Sequence, residues 1–463
     1  MSLYGLKGFW ELVRRDTEFK TMILVASTLW IFSVLSKIPL IVPSHYSDVG
    51  WLWIRDVYTG GHNLQVPYVQ YVLEYPQIIG FVIYIGQAIS TYFPIIVDSY
   101  NTFVAVEGLL EYPFMVGTLY NLYMLCVKLN LSRFRIYLYV VTTLTFIVYG
   151  FYNWDFLVAY FVTLTIWLYL ERRFDWAAVG LALGALTKLT PGIMIFPMVA
   201  GIRGWGARLR FTLIAAVVWV AANLPFALAN FGTWVQLFVG YSGPNHQLQN
   251  TWISMVISVA GLGTIIGAGA TAGHILSLGI FFFLVIYALI SKRTVLEKIL
   301  MTWYAWYGVV YLFDPQMMIQ LFPIVVLTPA FSLFFYRLAD VLNAFIIMFY
   351  FIGSGHPELP RYVTDQLTPF GLTNIEASIR QLIFLSAYFV CFNSKLQTAL
   401  RRFWNKLIAR VGSTGSHGLS GTKARKEGVG TEERRRVKES VERTKPVRTG
   451  TASSRSRNVY QVE

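Results

Sequence analysis

The residues best suited to chemistry in this 463-residue chain are seven scattered acids, Asp48, Asp56, Glu74, Glu107, Glu111, Asp155 and Asp314, and two isolated bases, Lys188 and His246. Asp48 follows the first long apolar run. A carboxylate there has its ionisation tuned by burial and can take a proton from a hydroxyl; a helix cap or a solvated interfacial acid is the plainer alternative. Asp56 lies two helical turns on, so both acids share a face if the segment is helical, with Arg55 beside them as an ion-pair partner. Glu107 and Glu111 stand at i and i+4 near the end of an apolar stretch, where an ionisable group points to function unless headgroups solvate it. Lys188 sits alone between two apolar halves, placed either to hold a phosphate as a point charge or to snorkel. Lys37 is placed to snorkel. His246 and Gln247 belong to YSGPNHQLQNTW, an amide-rich loop without formal charge that suits hydrogen bonds to a phosphate or sugar, or a structural role. Asp314-Pro315-Gln316 opens a later apolar run, with Asp314 at an N-cap position.

Other chemistries lack their signatures. The chain has no HExxH, paired histidines, CxxC, phosphate-binding glycine loop or GxSxG, and its acids are not spaced as DxD. Its two cysteines, Cys126 and Cys391, fit buried thiols rather than a disulfide framework. No metal site and no cofactor are expected.

The elements that must position these side chains are set by composition. With 56% hydrophobic, 16% aromatic and only 13% charged residues, and repeated apolar runs of bilayer length, the chain reads as an all-α, polytopic transmembrane bundle. The first run, Met22–Val42, follows Lys7, Arg14, Arg15 and Lys20, which puts the amino terminus in the cytoplasm. Later runs are 101–127, 135–152, 156–170, 175–187, 190–202, 211–229, 270–290, 299–313, 316–335, 338–353 and 377–395. About 12 spans return the carboxyl terminus to the cytoplasm. On this count 16 Lys/Arg fall inside before the tail, whereas the outer loops hold Arg55, Lys188 and Arg361. The candidate residues then collect at the extracytoplasmic face. Residues 76–97 read as a helix in the outer interface, and 175–202 as two short helices broken at Lys188-Leu189-Thr190-Pro191, because proline removes a donor and disfavours helix before it.

Three segments follow: a cytoplasmic amino-terminal segment 1–21, a membrane domain 22–395 with a first outer loop at 44–97, and a tail 396–463. That loop carries seven Trp/Tyr within 45–77, which suits an ordered interfacial cap. From Lys395 onward 17 Lys/Arg stand against 6 Asp/Glu, giving +11 of the net +14. A polar, Gly/Ser-rich tail of that kind is expected to be disordered and drawn to anionic lipid headgroups. With no aromatic platform, nucleic acid is not an expected partner.

The order of features, YSDV, PYVQY and EYPQ, then NWD, GLALGALTKLTPG and DPQMMIQLFP, resembles the GT-C superfamily of integral-membrane glycosyltransferases. It is most similar to the polyprenyl-phosphate-mannose-dependent mannosyltransferases of glycosyltransferase family 87, over roughly 20–395. The resemblance implies inverting transfer of a sugar, first of all mannose, from a polyprenyl- or dolichyl-phosphate donor to a lipid- or glycan-linked acceptor on the non-cytoplasmic face. It implies Asp48 as general base, with Lys188 and His246 near the donor phosphate. Asp56, Glu74, Tyr75, Glu107, Glu111, Asp155, Gln247, Asp314 and Gln316 complete the expected substrate-binding set. The chain departs where the family's Tyr-Pro-Pro becomes Tyr75-Pro76-Gln77, and only one acid stands in YSDV. A lone carboxylate there argues against a required divalent metal. The alternatives are a twelve-span secondary transporter, against which no half-to-half repeat is seen, and a ligase- or flippase-like protein of lipid-linked glycans.

Overall fold

Capping side chains explain where several of the helices begin. The structure, a computed structural model, describes residues 6–42, 46–242, 248, 251–262, 268–355, 358, 360, 369–399 and 402. Among them helix is the only extended regular element, with a single isolated bridge between Pro67 and Tyr71. Two units divide the chain, Met1–Phe392 and Asn393–Glu463. In the second, a turn of helix over 394–399 is capped by Asn393, whose Oδ1 accepts from Leu396 N at 3.1 Å. The remainder of the expected disordered tail lies outside the described residues.

The first unit opens with α1 (Leu6–Arg15) and α2 (Thr17–Leu35). Asp16 starts α2, its Oδ1 accepting from Phe19 N at 3.0 Å. The first apolar helix therefore begins before Met22, inside the expected amino-terminal segment, and ends well short of Val42. Beyond it Lys37 does not snorkel: it is 2% exposed, donates to Val148 O at 3.1 Å and lies over the Tyr152 ring. The expected first outer loop, 44–97, folds into α3 (Asp48–Leu52), a π-helical stretch Trp53–Thr59, and α4 (Gln77–Tyr92). Asp98 then caps α5 (Ser99–Lys128), which carries Pro113.

The expected span 135–152 is instead three pieces: α6 (Phe134–Ile136), a π-turn Tyr137–Val141, and α7 (Leu144–Tyr149). Next come α8 (Asp155–Leu170) and α9 (Phe174–Ala185). The chain breaks after Ala185 and resumes as a 3-10 turn, Thr190–Met194, with Pro191 in its first turn, before α10 (Ile195–Gly201). Then follow α11 (Trp205–Ala229), α12 (Phe231–Ser242), α13 (Trp252–Val259), α14 (Ala268–Ile290) and α15 (Val295–Val309). Neither α12 nor α13 was expected, both being short pieces between longer apolar runs. The run 316–335 divides into a 3-10 helix, Pro315–Leu321, and α16 (Phe322–Leu327). Arg135 ends α16 by donating to the carbonyls of Val325, Val326 and Thr328, satisfying a buried helix terminus. The last two helices are α17 (Leu333–Gly355) and α18 (Leu372–Val390).

Small residues let the central helices approach. A Cβ on Gly108 of α5 would lie 2.8 Å from Val34 Cγ2 of α2, and one on Gly180 of α9 would lie 2.8 Å from Thr165 Oγ1 of α8. Glycine at these points buys backbone proximity rather than flexibility. Among the described residues, three helices are long and apolar enough to cross a membrane: Thr17–Leu35, Trp205–Ala229 and Gly269–Ile290. On α11 the exposed residues Leu209, Leu213, Val217, Val220, Leu224 and Leu228 recur every three or four positions and form one continuous stripe. Water disfavours an apolar face of that length, and hydrocarbon accepts it.

The start of α7 is secured from α17. Asp340 is 1% exposed and accepts from Leu144 N at 2.9 Å and Thr145 N at 2.8 Å. Substituting Asp340→Leu strands those donors. The expected cost is about 1–3 kcal/mol, read as a lowered thermal midpoint of the detergent-solubilised protein.

Candidate active site

Residues 150–154, between α7 and α8, are the seat of the site. Ser47 caps α3 by accepting from Gly50 N at 3.0 Å, which puts Asp48 at the first helical position. The backbone nitrogens of Asp48 and Val49 both donate to Tyr152 O, at 3.1 and 3.4 Å. Outer loop and bundle meet through that carbonyl.

Two amides converge on the Asp48 carboxylate. Asn153 Nδ2 donates to its Oδ2 at 2.8 Å, and Gln316 Nε2 to the same oxygen at 3.0 Å. Asn153 Nδ2 also meets Tyr75 OH at 2.9 Å, while its Oδ1 accepts from Trp154 N at 2.7 Å. The Tyr75 ring packs edge-on against Trp154, centroids 5.1 Å apart, and Lys188 Nζ lies 5.8 Å from the same ring. Asp48, Tyr75, Asn153, Lys188 and Gln316 thus form one cluster drawn from four separate parts of the chain.

Burial pushes the Asp48 carboxyl up to about 7. The Asn153 hydrogen bond opposes that rise, the neighbouring Asp314 carboxylate adds to it, and Lys188 and Tyr46 oppose it again. Asp314 therefore acts on Asp48 through space. It stands at the head of the 3-10 helix, but its side chain makes no capping hydrogen bond there, contrary to the expected N-cap role.

Behind Asp48 the acids lie deeper. Asp155 is fully buried at the start of α8, its Oδ1 accepting from Lys188 Nζ at 2.7 Å and from Gln320 Nε2 at 2.5 Å. Tyr307 OH of α15 holds Gln320 in turn, donating to its Oε1 at 2.6 Å. Glu107 and Glu111 face the bundle interior and are not solvated by headgroups, since both are 0% exposed. Glu107 Oε2 accepts from Trp154 Nε1 at 2.7 Å, and Glu111 Oε1 from Phe156 N at 3.1 Å. Gly86 of α4 makes room for Glu107: a Cβ there would overlap Glu107 Oε1.

Asp56 and Glu74 belong to a different network. Arg55 donates to Asp56 Oδ1 at 2.6 Å and to Glu74 Oε2 at 2.9 Å, whereas Asn153 and Gln316 donate to Asp48. This is the ion pair that Arg55 made available. His246 and Gln247 lie outside the described residues. Among the described residues no group of three or more His, Cys, Asp and Glu side chains is arranged to hold a metal ion. Reasoning from charge passed over Asn153, Trp154, Tyr307 and Gln320. The NWD motif held two of them, but neutral donors carry no signal in a charge count.

Together these features define a helical protein of membrane type with a partly enclosed polar cluster. No protein-family profile matches the chain, and no curated protein sequence matches it.

Because the folded state raises the proton affinity of Asp48, it holds that proton at pH values where the unfolded chain has released it. The associated stability is present below the ordinary carboxylate range and lost as pH rises through about 7. Asp48→Asn escapes this loss. Its thermal midpoint should exceed that of the wild type by several degrees at pH 8 and converge with it toward pH 4. Parallel pH curves for the two proteins would show that Asp48 ionises normally.

Proposed function

We propose that this chain is a membrane-embedded glycosyltransferase of the GT-C type. It transfers a sugar, mannose first among the expectations, from a polyprenyl- or dolichyl-phosphate donor to a lipid- or glycan-linked acceptor, with inversion. The observation that carries this reading is the placement of Asp48 within electrostatic reach of Lys188, from positions 140 residues apart in the chain. A proton acceptor and a phosphate-binding cation are the two groups that this displacement needs.

Asp48 takes the proton from the acceptor hydroxyl as that oxygen attacks the anomeric carbon. The bond from that carbon to the phosphate oxygen breaks, and its electron pair leaves with the polyprenyl phosphate. Lys188 stabilises the charge that develops there. A base whose carboxyl titrates near 7 is matched to a hydroxyl substrate at neutral pH. Asn153 and Gln316 both hold the same Asp48 oxygen and fix the orientation of the carboxylate. Tyr75 and Trp154 pack edge-on against each other and brace the cluster from within, and the donor chain remains in the bilayer.

In this reading the bundle has about 12 spans, both termini are cytoplasmic, and the site lies on the extracytoplasmic face of a multi-pass protein. His246 and Gln247 join the donor phosphate, and the basic tail lies on anionic headgroups. A second reading is favoured by one observation: Glu107, Glu111 and Asp155 each keep a buried oxygen without a hydrogen-bond partner among the described residues. Buried acids of that kind suit proton-coupled transport. Solute uptake by sealed vesicles that abolishing Glu111 stops would favour the transporter.

Purified protein incubated with radiolabelled polyprenyl-phosphate sugars and a membrane lipid extract should label an acceptor. Asp48→Asn should lower turnover by at least about 100-fold with donor affinity retained. Wild-type turnover should rise with pH through about 7 as Asp48 ionises, and Asp314→Asn should move that limb to lower pH. Full turnover by Asp48→Asn would remove the base assignment.

A further inference from the structure

Arg380 of α18 is the most deeply buried cation that the reaction scheme leaves unused. It is 0% exposed, and no carboxylate forms a salt bridge with it among the described residues. A buried guanidinium on which the Asp314 carboxylate acts only through space is costly, so its hydrogen bonds must account for its retention. One arm, Nη1, donates to Asn343 Oδ1 of α17 at 2.5 Å, and the other, Nη2, donates to Phe313 O. Asn343 Nδ2 continues the chain, donating to Pro315 O at 3.0 Å. The guanidinium also lies over the Phe313 ring, 3.8 Å from its centroid. Arg380 and Asn343 therefore grip the backbone on both sides of Asp314. The next residue, Gln316, is the one that donates to Asp48.

We propose that Arg380 is a positioning residue for Asp48, acting through the Phe313–Gln316 segment. The planar fork fixes two acceptors at once, Phe313 O directly and Pro315 O by way of Asn343. That fixes the start of the 3-10 helix and with it the reach of the Gln316 amide. Lysine retains the charge but not the fork. The proposal rests on the catalytic reading for its consequence in turnover, while its structural core can be read without any substrate.

The test is a double-mutant cycle of Arg380→Lys with Gln316→Met, read in two ways. The proton affinity of Asp48 is taken from the pH at which each background diverges in thermal midpoint from its own Asp48→Asn derivative. Losing the Gln316 donor should move that pH upward by roughly half a unit or more, Arg380→Lys should do the same, and the double variant should move it no further. In transfer, both single variants should lose kcat about 10-fold or more with donor KM within about 3-fold, again without additivity. Asn343→Leu crossed with Gln316→Met makes the same measurement if Arg380→Lys does not fold. Additive effects, or an Arg380→Lys protein with the wild-type divergence pH, would overturn the proposal. Failure of the catalytic reading looks different: the divergence pH still shifts, but transfer does not depend on Asp48.

Discussion

Lys188 and Asp155 form the ion pair on which the rest of the site depends. Asp155 has no exposed surface, and desolvating a carboxylate costs several kcal/mol unless partners restore what water supplied. Lys188 Nζ and Gln320 Nε2 do so from opposite sides of the chain break and the 3-10 helix. The same ammonium acts on Asp48 and on Glu111 through space. One cation thus serves three carboxyl groups, so its loss would be felt by all of them.

That ammonium stands where it does because helix packing and helix breaking coincide. Gly180 brings α9 against Thr165 of α8, and Gly184 lets α9 meet Pro191, a Cβ there lying 3.0 Å from Pro191 Cβ. The chain then leaves helical geometry between Ala185 and Thr190, and Thr187 returns its hydroxyl to Gly184 O at 2.5 Å. Lys188 falls in the gap, free of the helical repeat and close to the first turn of α8. Filling Gly180 or continuing the helix through 186–189 would carry the ammonium away from Asp155 before any catalytic residue was touched.

Apolar periodicity located nearly all the long helices, because a 20-residue apolar run has few other ways to satisfy its backbone. It failed where neighbours rather than local propensity decide: 135–152 is as apolar as a span, but distant Asp340 holds the start of α7 and Arg135 reaches out to the end of α16. Side-chain roles divided on the same line. Lys188 announced itself by isolation in an apolar stretch. Lys37 did so equally, yet a carbonyl and an aromatic ring draw it inward. The neutral donors Asn153, Gln316 and Gln320 take their meaning from what they face, and that requires the 268 positions between Gln316 and Asp48 to be folded. Arg55 was the most legible of all, since its sequence neighbour Asp56 is one of its two acidic partners.

Residues 46–59 supply Asp48 but not the environment that shifts its ionisation. Asp48 is held by a carbonyl from residue 152 and by amides from 153 and 316, none of them in its own segment. Undocked, it would be an ordinary solvated carboxylate, ionised at neutral pH and too weak a base to compete for a hydroxyl proton. Docking removes water and sets it near Asp314, and the carboxyl rises to about 7. The raised proton affinity is therefore a property of the docked segment rather than of the residue. The same contacts that fix the loop geometrically also fix its proton affinity, so the two cannot be separated.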